Sequence, residues 1–167
     1  GTINEDDHVF GLSAARKYGG IYVPAGSSLK IIGDGQLRIN SASQQTYAIG
    51  SGSTMPYGNI DICMNGGLYI RLDSEKSVAI GGRSNDGASH INILCKDLCI
   101  EQLGKKTLGI GSLLSGAEVS ISGTRFSIEQ HSKTALGIGS FSDPCNIDIK
   151  SGHANFTMSG DKVGGIG

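Results

Sequence analysis

The sequence predicts an all-β chain, a right-handed, three-sided parallel β-helix (solenoid) of about five coils with 28–31 residues each. Three observations carry this. An isoleucine anchor, mostly written Ala/Gly-Ile-Gly, recurs at Ile21, Ile49, Ile80, Ile110, Ile138 and Ile166, at intervals of 28, 31, 30, 28 and 28 residues. Two further apolar-x-apolar pairs sit inside each interval, and alternation with period two is the strand signal. Glycine reaches 27 residues while aromatics are 5% with no Trp, which suits short strands, tight corners and an Ile/Leu/Val core.

The elements follow in chain order. Residues 1–17 are read as an N-terminal cap or lead-in, and "NEDDHVFGLSAARKYG" (4–19) as a short capping helix over the first coil. Residues 18–167 form the repeat domain. Its first-side pairs are Leu29/Ile31, Ile60/Ile62, Ile91/Ile93, Val119/Ile121 and Ile147/Ile149. The second-side pairs are Leu37/Ile39, Leu68/Ile70, Leu98/Ile100, Phe126/Ile128 and Phe156/Met158. On the third side each anchor pairs with the residue two before it: Tyr47, Val78, Leu108 or Leu136. Such short strands cannot bury a face alone. Stacked about 4.8 Å apart, inward residues cover their counterparts and the strands pair from coil to coil. Right-handedness follows from the usual hand of parallel crossovers. A leucine-rich repeat would show a fixed Asn position and one strand per repeat, and a sandwich would not hold three strands in phase over five periods. The chain stops at an anchor, with no cap in view, so it reads as a piece of a longer array or as an end that self-associates with another copy.

Composition narrows the function classes. The formal net charge is −1 with 17% charged residues, so no broad field attracts nucleic acid. No apolar run has the length of a membrane span. The four cysteines lack zinc-type spacing, and no metal or cofactor site is expected. Cys63 and Cys95 fall in the same turn of successive coils, which places a disulfide between them within reach.

Outward columns are where chemistry would lie. Lys30, Asp61, Asn92, Ser120 and Asp148 share one column, and Ser28, Asn59, His90, Glu118 and Asn146 another. A third holds Asn40, Arg71, Glu101, Glu129 and Ser159. Neighbours of opposite sign, such as Arg71 with Glu101, Asp97 with Arg125 and His90 with Glu118, help to hold register. A catalytic groove needs converging carboxylates, whereas Asp61 and Asp148 lie three coils apart, so no catalytic residue is assigned. The Gly-Ile-Gly face is expected to be bare, with Gly109, Gly137 and Gly165 pointing outward and Lys76, Lys106 and Lys162 along its rim. These six residues are the candidate ligand-binding set, for an acidic glycan or a partner surface.

The stretches "GNIDICMNGGLYIRL", "AEVSISGTRFSIEQ" and "CNIDIKSGHANFTM", each leading to Ala/Gly-Ile-Gly, resemble the Gly-Ile-Gly β-helix repeats of large Gram-positive bacterial surface proteins. The opening "GGIYVPAGSSLKIIGDGQLRI" is similar to the way such arrays begin. The resemblance implies an extracellular, cell-surface, non-enzymatic segment with a structural and adhesive role. The alternative is a polysaccharide-binding module for a cell-surface or plant-type glycan. A polysaccharide lyase or hydrolase is a third reading.

Overall fold

The computed structural model describes residues 2–5, 20–52, 54–84 and 89–167. Its strands are β1 (Thr2–Glu5), β2 (Ile21–Tyr22), β3 (Ser28–Gly33), β4 (Leu37–Ala42), β5 (Gln45–Gly50), β6 (Asn59–Gly82), β7 (His90–Ser112), β8 (Glu118–Ser140), β9 (Asn146–Ser159) and β10 (Lys162–Ile166). Among the described residues there is no helix. Each of β6, β7 and β8 wraps a whole coil, and every ladder between named strands is parallel.

Three columns run through the stack. Leu29, Ile60, Ile91, Val119 and Ile147 are in register on the first side. Ile39, Ile70, Ile100, Ile128 and Phe156 are in register on the second. The anchors Ile21, Ile49, Ile80, Ile110, Ile138 and Ile166 are in register on the third. The fold is the predicted β-solenoid of about five coils. Its cause is the alternation itself: inward Ile and Leu side chains are fully buried while the residues between them face solvent. Each such side chain contributes roughly 1.5–3 kcal/mol of burial.

Three expectations need correcting. The last second-side pair is Ala154/Phe156, not Phe156/Met158, because Phe126 aligns with Ala154 and Gln130 with Met158. Equal coil length, rather than local hydrophobicity, sets that register, and it moves Thr157 into the place expected for Ser159. The capping helix begins on residues that are strand instead: Asn4 and Glu5 belong to β1 and pair with Ile32 and Gly33. The remainder of that segment, including Lys17, lies outside the described residues.

A buried polar seam occupies the corner between the second and third sides. Gln102 and Gln130 are fully buried on adjoining coils. Gln130 Nε2 donates to Gln102 Oε1 (2.7 Å) and to the Leu136 carbonyl (3.1 Å). Gln102 Nε2 donates to Ser77 Oγ (2.9 Å) and to the Leu108 carbonyl (3.1 Å). Thr107 and Ser132 share a hydrogen bond of 2.7 Å beside them, and Thr46 donates to Ser41 one end of the seam away (2.9 Å). Leu72 precedes the glutamines in this column and Met158 follows them, so Gln130 Oε1 is left without a donor.

The third side breaks strict alternation. Ala48 and Ile49 are consecutive, and both lie in the main core, as do Ala79 and Ile80. The ladder pairing skips Ala48, Ala79, Gly109 and Gly137, and at this irregularity two successive side chains face inward. Tyr47, Val78, Leu108 and Leu136 face the other way and form a second apolar cluster, against which Leu113 and Phe141 pack.

Candidate functional site

The third side reverses the expected glycine face. A Cβ built on Gly109 would lie 2.9 Å from Ile128 Cδ1, and one on Gly137 would lie 2.8 Å from Met158 Cε. Gly165 faces Phe156 in the same way, at 3.7 Å from its ring. These positions therefore point into the core, and Gly109 and Gly137 are buried. Their small size admits the bulky second-side residues of the corner opposite. The outward surface is not bare glycine but the apolar column of Tyr47, Val78, Leu108 and Leu136, clothed by the loop residues.

The lysines are placed as expected in register, and only two of them meet. Gln45, Lys76, Lys106, Thr134 and Lys162 occupy successive coils of one column. Lys76 and Lys106 are ladder neighbours, about 4.8 Å apart in backbone. Thr134 separates Lys162 from them.

Beside these two lysines lies a cleft of about 280 Å³, open to solvent on one side. Lys76 and Lys106 line it together with Gln45, Val78, Leu113 and Leu114. The leucine wall is built by the chain folding back after β7: the amides of Leu113 and Leu114 both donate to the Arg83 carbonyl, at 3.1 and 2.8 Å. Ser112 Oγ donates to the same carbonyl (3.0 Å) and accepts from the Ser115 amide (3.1 Å), which fixes the turn. Leu113 is thereby laid on the second cluster, while Leu114 stays 48% exposed at the cleft wall. Thr46 and Ser77 also line the cleft, yet their hydroxyls are turned inward, toward Ser41 and Gln102.

The electrostatics of the cleft are one-signed. Lys106 Nζ stands 4.4 Å from the centre of the Phe141 ring, a cation–π contact that positions it. The nearest acid in sequence, Glu75, is paired with Lys105 on the neighbouring coil. A hydrogen bond from Lys105, then its charge, hold the Glu75 carboxyl below the usual carboxylate range, with a smaller contribution from Lys76. Among the described residues, no carboxylate forms an ion pair with Lys76 or Lys106.

The other outward faces carry several charge pairs. Arg71 meets Glu101 at 3.5 Å and Arg125 meets Asp97 at 2.7 Å, as the column reading expects. Arg125 holds the Asp97 carboxyl below its ordinary value. His90 is a correction: Glu118 is its ladder partner, but its ring Nε2 lies 3.2 Å from Asp61 Oδ1 on the coil before. Asn92 donates to the same oxygen (3.0 Å). A flatter depression of about 460 Å³ covers that first-side face, and its one carboxylate, Asp61, is already held by His90 and Asn92. Asp61 and Asp148 are three rungs apart in register, roughly 14 Å by the strand spacing. Arg38 covers the Tyr69 ring at 4.3 Å, so that aromatic is stacked by protein. Among the described residues no group of three His, Cys, Asp or Glu side chains converges as metal ligation requires.

The expected disulfide is absent. Cys63 is in register with Leu94 and Cys95 with Met64, a one-residue offset that sends the two thiols to opposite faces of the ladder. Cys63 is exposed, Cys95 is buried and all four cysteines are free. Burial pushes the Cys95 thiol up to about 11 and also raises Cys145. Alkylation at about pH 8 should therefore label Cys63 in the folded protein and reach Cys95 only after denaturation. Intact mass should report four thiols; a Cys63–Cys95 cross-linked peptide would contradict the geometry. Because folding raises the Cys95 thiol, the stability linked to its neutral form is complete below the ordinary value of 9.0 and is lost as pH rises through about 11.

Two functional features escape the sequence reading. The apolar wall at Leu113 and Leu114 looks like an ordinary loop, and its only signal is a pair of leucines where neighbouring coils carry Arg83-Ser84 and Phe141-Ser142. The break in alternation that inverts the glycine face has a signal in the single small residue, Ala48, Ala79, Gly109 or Gly137, before the anchor. No protein-family model, no curated protein and no solved structure matches the chain.

Proposed function

We propose that the chain is a structural and adhesive repeat segment of an extracellular bacterial surface protein, without enzymatic activity. The observation that supports this most is the register of three ladders from coil to coil, shifted once between Met64 and Gly67 and reinforced by charge pairs between neighbouring coils. Such a stack is a stiff rod whose length grows with copy number and whose stability is summed over nearest neighbours. The likeness of its Gly-Ile-Gly stretches to surface-protein repeats supports the location.

Antibody against the segment should label intact, unpermeabilised cells of the source organism, and deletion of its coding region should reduce adhesion. Label seen only after permeabilisation, or release of sugar products from pectin-like polymers by the purified segment, would overturn the reading. One observation favours a second reading, a polysaccharide-binding module: the cleft lined by Lys76 and Lys106, neither of which forms an ion pair among the described residues.

A further inference from the structure

We infer that the cleft between β6, β7 and the 113–114 turn seats one uronate residue of an acidic polysaccharide. Its carboxylate is shared by Lys76 and Lys106, and its ring lies on Leu113 and Leu114. This rests on the second reading above and names the ligand class and its pose.

Lys76 and Lys106, held side by side on the ladder, repel one another, and among the described residues neither forms an ion pair with a carboxylate. The remaining acid nearby, Glu75, is already taken by Lys105. A bound anion relieves this repulsion, and compact ammonium groups serve as point charges for one shared carboxylate. The column also limits the site. Gln45 and Thr134 bound the lysine pair on either side, so it holds a single anion rather than a polyanion track. With a formal net charge of −1 on the chain, no wider basic surface gathers nucleic acid.

Shape and polarity then select a sugar acid over a bare inorganic ion. The cleft, at about 280 Å³, lies near the lower limit of small-molecule sites, roughly 300 Å³. It has room for one ring, and its open side lets the polymer continue in both directions. Val78, Leu113 and Leu114 form an apolar ledge beside the charges, suited to the C–H face of a pyranose, and the amide of Gln45 borders the same space for ring hydroxyls. Leu114, 48% exposed, is the apolar surface such a ring would cover. Phe141 is occupied by Lys106 and positions the cation rather than stacking on sugar.

The test is a titration of the folded chain with a short galacturonate oligomer, beside its methyl ester, a neutral galactose oligomer and sodium sulfate. The acid oligomer should bind, and the ester, the neutral oligomer and sulfate should each bind at least about tenfold more weakly. Lys76→Gln with Lys106→Gln should remove binding, whereas Lys30→Gln should not. Removing a like-charged pair should leave the melting temperature unchanged or raise it, and the single substitutions give a second route should the double variant misfold. Leu114→Ser should weaken the oligomer without creating affinity for sulfate. Equal binding by the ester, or sulfate binding as tight as the oligomer, would overturn the uronate assignment. Acid-oligomer binding that survives the double substitution would overturn the site while leaving a polysaccharide-binding module standing. No binding to any acidic glycan would overturn both.

Discussion

Gly111→Ala should lower stability by about 4 kcal/mol, the sum of backbone strain and overpacking of about 2 kcal/mol each. Gly111 has φ +132, a conformation that side chains rarely adopt. A Cβ there would sit inside the van der Waals envelope of the Gly139 carbonyl oxygen on the next coil and 3.0 Å from its carbonyl carbon. Neither group can retreat, because Gly111 and Gly139 are held in register by the ladder itself. For a chain of this length the melting midpoint should fall by about 10 °C, read by circular dichroism. Gly26→Ala is the contrast. Its φ is +73 and nothing lies within 4 Å of the added carbon, so only the left-handed backbone penalty of about 1 kcal/mol applies. Equal losses at the two positions would mean that close packing of the coils at the anchor contributes nothing.

Gln102→Leu should cost about 3 kcal/mol, the second largest effect. The apolar replacement fits the column, since Leu72 occupies the adjoining rung. What it removes is the donor to Ser77 and Leu108 and the acceptor for Gln130, leaving buried polar groups unpaired. Gln130→Met should cost less, about 1–2 kcal/mol, because that side chain already carries an unpaired oxygen and its neighbour is Met158. The double variant should lose less than the sum, because the inter-coil bond between the two side chains can be lost only once. Denaturant unfolding of the four proteins gives the coupling directly, and strict additivity would contradict the seam.

The repeat was legible because its period and alternation are both carried by side chains: Ile60/Ile62 over Ile91/Ile93 can be read as one column without any structure. The last coil was misread where a local pattern competed with the period. Phe156 and Met158 look like a strand pair, but Phe156 is 28 residues after Ile128 and aligns with it. The lysine column was legible for the same reason as the core. The direction of Gly109 and Gly137 was not, since inferring it by alternation fails wherever an irregularity in the ladder places two successive residues on one side. The glutamine seam had a signal that hydrophobicity hides: Ile-Glu-Gln occurs at 100–102 and again at 128–130, in phase, with one polar residue facing in each time. His90 chose Asp61 over Glu118, a choice between two acids both within reach of one side chain and beyond what a column can specify.

The parallel ladders have a mechanical consequence. Their hydrogen bonds run from coil to coil, so tension between the two ends of the stack pulls along the bonds and loads the outermost rung first. Each coil touches only its neighbours and is released without disturbing the others. A coil that occupies about 4.8 Å of the folded rod unravels to a tether of roughly 90–100 Å for its 28 residues. A segment built this way is stiff until it is overloaded and then yields its length coil by coil.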